Sequence, residues 1–235
     1  DQHFNFGCYH EFLGLAIQEG GLEVVALLNE ACLTKLNANA LGCQHGIGHG
    51  VQAYLGYGEK ELVAALEVCD GLHAQPRVGG CLGGAFMEYN LQTVLGTEGT
   101  YRPFDEVLGQ HYPCVVVAEK FKDACYYEQP QWWQALEWED RTDTNERATL
   151  FTQMGTWCAE APGTTRQERC YRGIGNNAPA LVEYDEKEMA DGCERMPTHE
   201  AEIQCRAAAA AVFFGGPSAG AARWALCDGL SATDR

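Results

Sequence analysis

Basic charge is scarce in this chain: Lys and Arg number 16 against 33 Asp and Glu, a formal net charge of −17 over 235 residues. Such a balance repels phosphate backbones and excludes nucleic-acid binding as a function class. Long apolar runs are missing as well. The longest, Ala207 to Phe214, has eight residues, against the roughly 20 that a membrane-spanning helix needs, so no membrane span is expected. No signal peptide or lipidation site is visible, which implies that any export signal has been removed or left out. The sequence contains no HExxH, no GxSxG and no Walker phosphate loop, the usual marks of zinc proteases, serine hydrolases and nucleotide-binding folds. It also contains no CxxC and no CxxCH, so zinc knuckles, redox dithiols and c-type haem attachment are excluded. Period-two alternation is confined to a short run near Val115 to Val117. With 46% apolar and 21% charged residues, the composition is that of a soluble globular chain with ample material for a core.

Cysteine, by contrast, is abundant and regular. The twelve stand at Cys8, Cys32, Cys43, Cys69, Cys81, Cys114, Cys125, Cys158, Cys170, Cys193, Cys205 and Cys227. Their gaps alternate without exception between 11 or 12 residues and 22 to 33. An even count in strict alternation predicts disulfides throughout, and disulfides place the protein in the periplasm, at the cell surface or outside the cell.

The alternation also exposes an internal repeat. Units opening at Cys8, Cys43, Cys81, Cys125, Cys170 and Cys205 begin with related phrases, such as CQHGIGHG, CLGGAFME and CYRGIGNN. Each closes on an apolar stretch ending in cysteine, such as LVAALEVC or AARWALC. Each unit is long enough for a helical hairpin with its loops. The expected organisation is one repeat domain over 1–235, with units 1–36, 37–74, 75–119, 120–163, 164–199 and 200–235. Cys43, Ile47, Val51 and Tyr54 follow helical spacing as one stripe, with Gly46, Gly50 and Ala53 beside them as a ridge of small residues for a close-packed neighbour. The fold class is therefore all-α: six disulfide-bridged hairpins stacked as an αα-solenoid.

Two disulfide connectivities fit the spacing. Pairing within a unit gives 8–32, 43–69, 81–114, 125–158, 170–193 and 205–227. Pairing between units gives 32–43, 69–81, 114–125, 158–170 and 193–205, leaving 8 and 227 to close a ring. The first is preferred because it leaves no distant terminal pair, and the second stays open.

The stretch EACLTKLNANALGCQHGIG (30–48), continuing to AYLGYGEKELVAALEVC (53–69), resembles Sel1-type repeats, and most of all their secreted, disulfide-bridged Helicobacter-type cysteine-rich relatives. The resemblance implies a right-handed αα superhelix, disulfides joined within each repeat, and a concave face that binds other molecules, usually proteins. It covers the second unit well and the others mainly through their cysteines. The opening helices also resemble the glycine-rich inner helices of (α/α)6 toroids, including lanthionine cyclases with their CHG zinc motif. A small (α/α)6 toroid is therefore the alternative architecture, although Gln44 separates Cys43 from His45 here.

Candidate chemistry rests on histidine. His45 and His49 are one turn apart on one helix face, and His10 follows Cys8 as His45 follows Cys43. Three neutral imidazoles with an open position suit zinc or copper. Glu11 and Glu88 are the acidic candidates for a ligand or general base. The competing reading makes His45 and His49 ordinary structural hydrogen-bonding groups. Two residues after each opening cysteine stand His10, His45, Gly83, Tyr127, Arg172 and Ala207; six after it stand Gly14, His49, Met87, Gln131, Asn176 and Ala211. Columns that vary on a constant framework are candidate groove positions, which adds Tyr127 and Arg172. Trp132, Trp133 and Trp138 cluster with Tyr126 and Tyr127 as core or as the rim of a contact.

The expected function is a secreted, non-catalytic binding or scaffold module whose partner is another protein or a second copy of itself. The alternative is a metal-binding protein or metal-dependent enzyme using His10, His45 and His49. The phrase Cys227-Asp228-Gly229-Leu230 repeats Cys69-Asp70-Gly71-Leu72, after which another unit began, so the last hairpin is expected to be covered by another subunit or by further sequence.

Overall fold

The structure is a computed structural model that describes residues 7–37, 40–94, 101–137, 144–215 and 226–227; the side chains of 7–10, 144, 214 and 215 lie outside that description. Helical segments alternate with stops that the sequence supplies. Helix α1 (Gly7–Gly20) ends at Gly21 and α3 (Ala40–Leu55) at Gly56, both in positive-φ backbone that glycine adopts without strain. Between them lies α2 (Val25–Leu36), and after them α4 (Glu59–Asp70) and α5 (Gly80–Leu91). The chain continues through α6 (Lys122–Glu137), α7 (Thr144–Glu160), α8 (Thr164–Leu181), α9 (Glu186–Cys193) and α10 (His199–Gly215). The Asp185 side chain caps α9 by accepting from the Glu188 amide at 2.8 Å. Apart from short 3-10 turns, no other regular element occurs among the described residues, so the all-α class holds and the Val115 to Val117 run lies in turns.

The chain forms two packing units. One holds α1 to α5 and Pro113–Cys125, and the other holds Phe104–Tyr112 and the chain from Tyr126 onward; the division falls inside α6. In the first unit α3 packs against both α1 and α5, around Ile17, Ile47, Val51, Leu62, Leu66 and Phe86. In the second, α8 packs against α10, and the buried set includes Trp132, Trp133, Tyr126, Leu150 and Phe151. These tryptophans are therefore core, while Trp138 lies outside the described residues.

Glycine lets the opening helices touch backbone to backbone. A Cβ on Gly48 would overlap the Cys81 carbonyl, and one on Gly84 would overlap the His45 carbonyl, so α3 and α5 meet through these two residues. Gly50 faces Ile17 and Gly14 of α1 in the same way, and Gly175 faces the Cys205 carbonyl in the second unit. Because α3 is enclosed on several sides, its buried surface is wider than one stripe. Cys43, Ile47 and Val51 are buried as expected from their spacing, but Tyr54 is 43% exposed and Ala53 takes the buried place.

The preferred disulfide pairing is overturned. The bridges are Cys32–Cys43, Cys69–Cys81, Cys114–Cys125, Cys158–Cys170 and Cys193–Cys205, with Cα separations of 5.4 to 5.7 Å. Within-hairpin pairs such as 43–69 and 170–193 do not form. The physical reason is in the packing: α2 lies on α3, α4 on α5 as well as α3, α7 on α8, and α9 on α10. The ends of α2, α4, α7 and α9 thus sit beside the starts of α3, α5, α8 and α10, while Cys114, which lies in a turn segment and not in a helix, meets the start of α6. Cys227 is a free thiol, so neither the 205–227 pair nor a terminal 8–227 bridge is made, and twelve-fold oxidation is corrected with it. The Cys8 side chain lies outside the described residues. Each bridge closes a loop of 11 or 12 residues, worth about 3 kcal/mol by the chain-entropy model. No helix among the described residues is long and apolar enough to cross a membrane. Five disulfides fit an extracellular or otherwise oxidising compartment.

Candidate metal centre

The close approach of α3 and α5 brings four functional side chains together in the first unit. From α3 come His45 and His49; from α5 come Met87 and Glu88. His45 Nε2 lies 3.2 Å from His49 Nε2, and Met87 Sδ lies 3.2 Å from each of these nitrogens. Two imidazole nitrogens and a thioether sulfur thus form a nearly equilateral triangle. His49 is 1% exposed, whereas His45 and Met87 are half-buried.

Behind His49 stands Glu88, fully buried. Its Oε2 accepts from His49 Nδ1 at 2.8 Å, from the Thr93 hydroxyl at 2.5 Å and from the Thr93 amide at 3.1 Å. Its Oε1 accepts from the Tyr57 hydroxyl at 2.6 Å and from the Val94 amide at 3.0 Å. Local backbone explains the two amides. Gln92, after the last turn of α5, takes the left-handed conformation at φ 50° and turns the chain back so that the next two N–H groups point at the carboxylate. Burial by itself pushes the Glu88 carboxyl up, but the hydrogen bond and charge of His49, with the Thr93 and Tyr57 hydrogen bonds, outweigh it and hold the group at about 2. The ionised carboxylate only accepts hydrogen bonds, so the facing Nδ1 of His49 carries a hydrogen and Nε2 is turned toward His45 and Met87. This is the carboxylate–histidine arrangement that orients metal ligands.

Among the residues singled out in the sequence, His45, His49 and Glu88 are thus brought together, with His49 touching both of the others. Glu88 contacts the ring of His49 from behind and does not point its oxygens into the triangle. The side chain of His10 lies outside the described residues, and Glu11, also on α1, is exposed. Tyr127 and Arg172 belong to the second unit. Burial, with the Glu128 charge, pushes the Tyr127 hydroxyl up to about 12 against the opposing Arg172 and Arg169 charges, so it keeps its proton throughout the physiological range. Arg172 donates to Gln204 Oε1 at 3.3 Å. Among the described residues no three His, Cys, Asp or Glu side chains gather as a ligand set; the third donor at this centre is sulfur from Met87. Met87 stood in a candidate groove column but was not read as a metal ligand, and the clamp formed by Tyr57, Thr93 and Val94 did not emerge from the sequence. The available signal for Met87 was its place six residues after Cys81, the same column that holds His49 after Cys43.

Comparison with family models, with curated proteins and with solved structures finds no match to this chain.

Proposed function

We propose that this protein binds a transition-metal cation between His45 Nε2, His49 Nε2 and Met87 Sδ, on a disulfide-linked αα-repeat framework that operates outside the cytoplasm. The triangle of donor atoms carries the reading. With edges of 3.2 Å, its centre lies about 1.9 Å from each corner, so a cation slightly out of the plane meets all three at the roughly 2.0–2.3 Å of metal–nitrogen and metal–sulfur bonds. Hydrogen bonding accounts for the triangle less completely. The thioether has no proton to give, and a proton on either Nε2 serves at most the two edges that meet at that nitrogen. A central cation serves all three.

The same geometry favours binding over catalysis. Glu88, the acidic group beside the triangle, receives five hydrogen bonds, three on Oε2 and two on Oε1, which occupy its roughly four lone-pair sites and leave none for a general base. The test is elemental analysis of the oxidised chain, purified without chelator or affinity tag, beside His49→Ala. About one equivalent of a transition metal in the parent, lost in the variant while the helical content is kept, supports the reading. A folded parent that takes up no zinc, copper, nickel or cobalt on dialysis contradicts it.

A further inference from the structure

We infer that the second unit holds a binding site for a small molecule bearing an oxyanion, a carboxylate or phosphate group, at Tyr127 of α6 and Arg169 and Arg172 of α8. The inference is independent of the metal reading and uses none of its residues. It starts from the repeat. A Cβ on Gly173 would overlap the Tyr127 carbonyl, just as one on Gly84 would overlap the His45 carbonyl. Gly173 and Gly84 each stand three residues after the cysteine in their helix, and Tyr127 and His45 each stand two after theirs. The part of α6 in the second unit therefore meets α8 at the same positions at which α3 meets α5. The columns that hold His45 and His49 on α3 hold Tyr127 and Gln131 on α6. Those that hold Gly83 and Met87 on α5 hold Arg172 and Asn176 on α8. Where the first unit gathers imidazole and thioether, the second gathers phenol, amide and guanidinium.

These groups have donors to spare. In a chain with 33 Asp and Glu against 16 Lys and Arg, a half-buried guanidinium ordinarily pairs with a carboxylate. Among the described residues Arg169 and Arg172 do not. Arg172 donates at 3.3 Å to the neutral amide oxygen of Gln204, and the buried Nε of Arg169 has no hydrogen-bond partner. Arg169 stands one turn before Arg172 on α8, and the charges of both act on the Tyr127 hydroxyl. That hydroxyl keeps its proton, because burial and Glu128 outweigh the two cations and push it up to about 12, so it is a donor as well. Gln131, one turn along α6 from Tyr127, likewise keeps a buried amide oxygen without a partner.

A buried donor without an acceptor is costly, and an oxyanion supplies the acceptors. The planar fork of a guanidinium matches the oxygens of a carboxylate or a phosphate. Glu128, whose carboxyl burial pushes up to about 8, is uncharged near pH 7 and does not repel the ligand. The ligand is small because a chain of net charge −17 repels polyanions.

The test is calorimetric titration of the full, disulfide-intact chain with sodium phosphate and, separately, sodium succinate, at constant ionic strength in a chloride background. The expected result is saturable uptake of one equivalent of at least one of the two anions. The tighter one identifies the group as phosphate or carboxylate. Arg169→Gln and Arg172→Gln should each weaken binding by about 10-fold or more, and Tyr127→Phe, which alters no charge, by about 3-fold or more. Arg195→Gln removes the same charge from an exposed position and should bind as the parent does. Circular dichroism identifies the folded variants; if an arginine variant does not fold, Tyr127→Phe and the parent titration decide. A folded parent that takes up neither anion overturns the inference. So does binding that survives the substitutions in folded variants, or binding that Arg195→Gln weakens equally.

Discussion

At the residue scale, the centre depends on how Glu88 is satisfied. A buried carboxylate is costly unless its oxygens are bonded, and here Thr93, Val94, Tyr57 and His49 supply every bond. Its effect on the site is exerted through the His49 ring, so it is a positioning residue. Glu88→Gln keeps the shape but presents an N–H to groups that themselves donate. Metal affinity should fall by about 10–100-fold, as when other groups that orient a metal-binding histidine are changed, with a measurable loss of stability; an unchanged affinity in a folded variant would show that the ring needs no such partner. Glu128 of the second unit is a carboxyl without this help. Burial pushes it up to about 8. Between the usual carboxyl range and pH 8 the folded chain holds a proton that the unfolded chain releases, so stability falls as pH rises through that window and levels off above it. Glu128→Gln should flatten this slope and raise stability at pH 8 by about 1–3 kcal/mol. Urea midpoints at pH 5 and pH 8 measure it, and a slope that survives the substitution contradicts the account.

At the element scale, the centre exists because α3 and α5 touch. Gly84 lies against the His45 carbonyl and the His49 amide, and Gly48 against the Cys81 carbonyl. Gly84→Ala has nowhere to place its methyl except by parting the helices. It should cost about 1–3 kcal/mol and weaken metal binding, although no ligand is altered; a variant with parental stability and affinity would mean that the approach is not as close as described. Much of this was readable beforehand. The helical face of His45 and His49 followed from their spacing, and the glycines around them signalled close packing. Met87 was not readable as a ligand, because a methionine at helical spacing looks like core until the partner helix is known. The register between α3 and α5 makes it a donor, and register is set by contacts distant in sequence. Tyr54 failed as a buried residue for the same reason: α3 has neighbours on more than one side, so its periodicity did not specify a single face.

At the scale of the whole molecule, the described disulfides join the closing cysteine of one sequence unit to the opening cysteine of the next and do not pair the two cysteines of a unit. Spacing alone left both connectivities open, and the choice between them turned on a terminal bridge that the free Cys227 shows is not required. Non-reducing peptide mapping should recover linked peptides for 32–43, 69–81, 114–125, 158–170 and 193–205. Recovery of 43–69 or 170–193 would contradict the fold as described. This bracing matters to the centre, because two of these bridges fix the starts of the helices that carry the ligands. The centre should therefore withstand loss of a ligand without unfolding, which makes the ligand variants interpretable.

The most direct measurement of the central claim is anomalous diffraction, at the absorption edge of the transition metal that elemental analysis finds, from crystals of the metal-loaded, disulfide-intact chain. The account predicts one dominant peak within bonding distance of His45 Nε2, His49 Nε2 and Met87 Sδ, with Glu88 still bonded to His49 Nδ1. A peak on other residues, or an ordered triangle with no anomalous density, would contradict it.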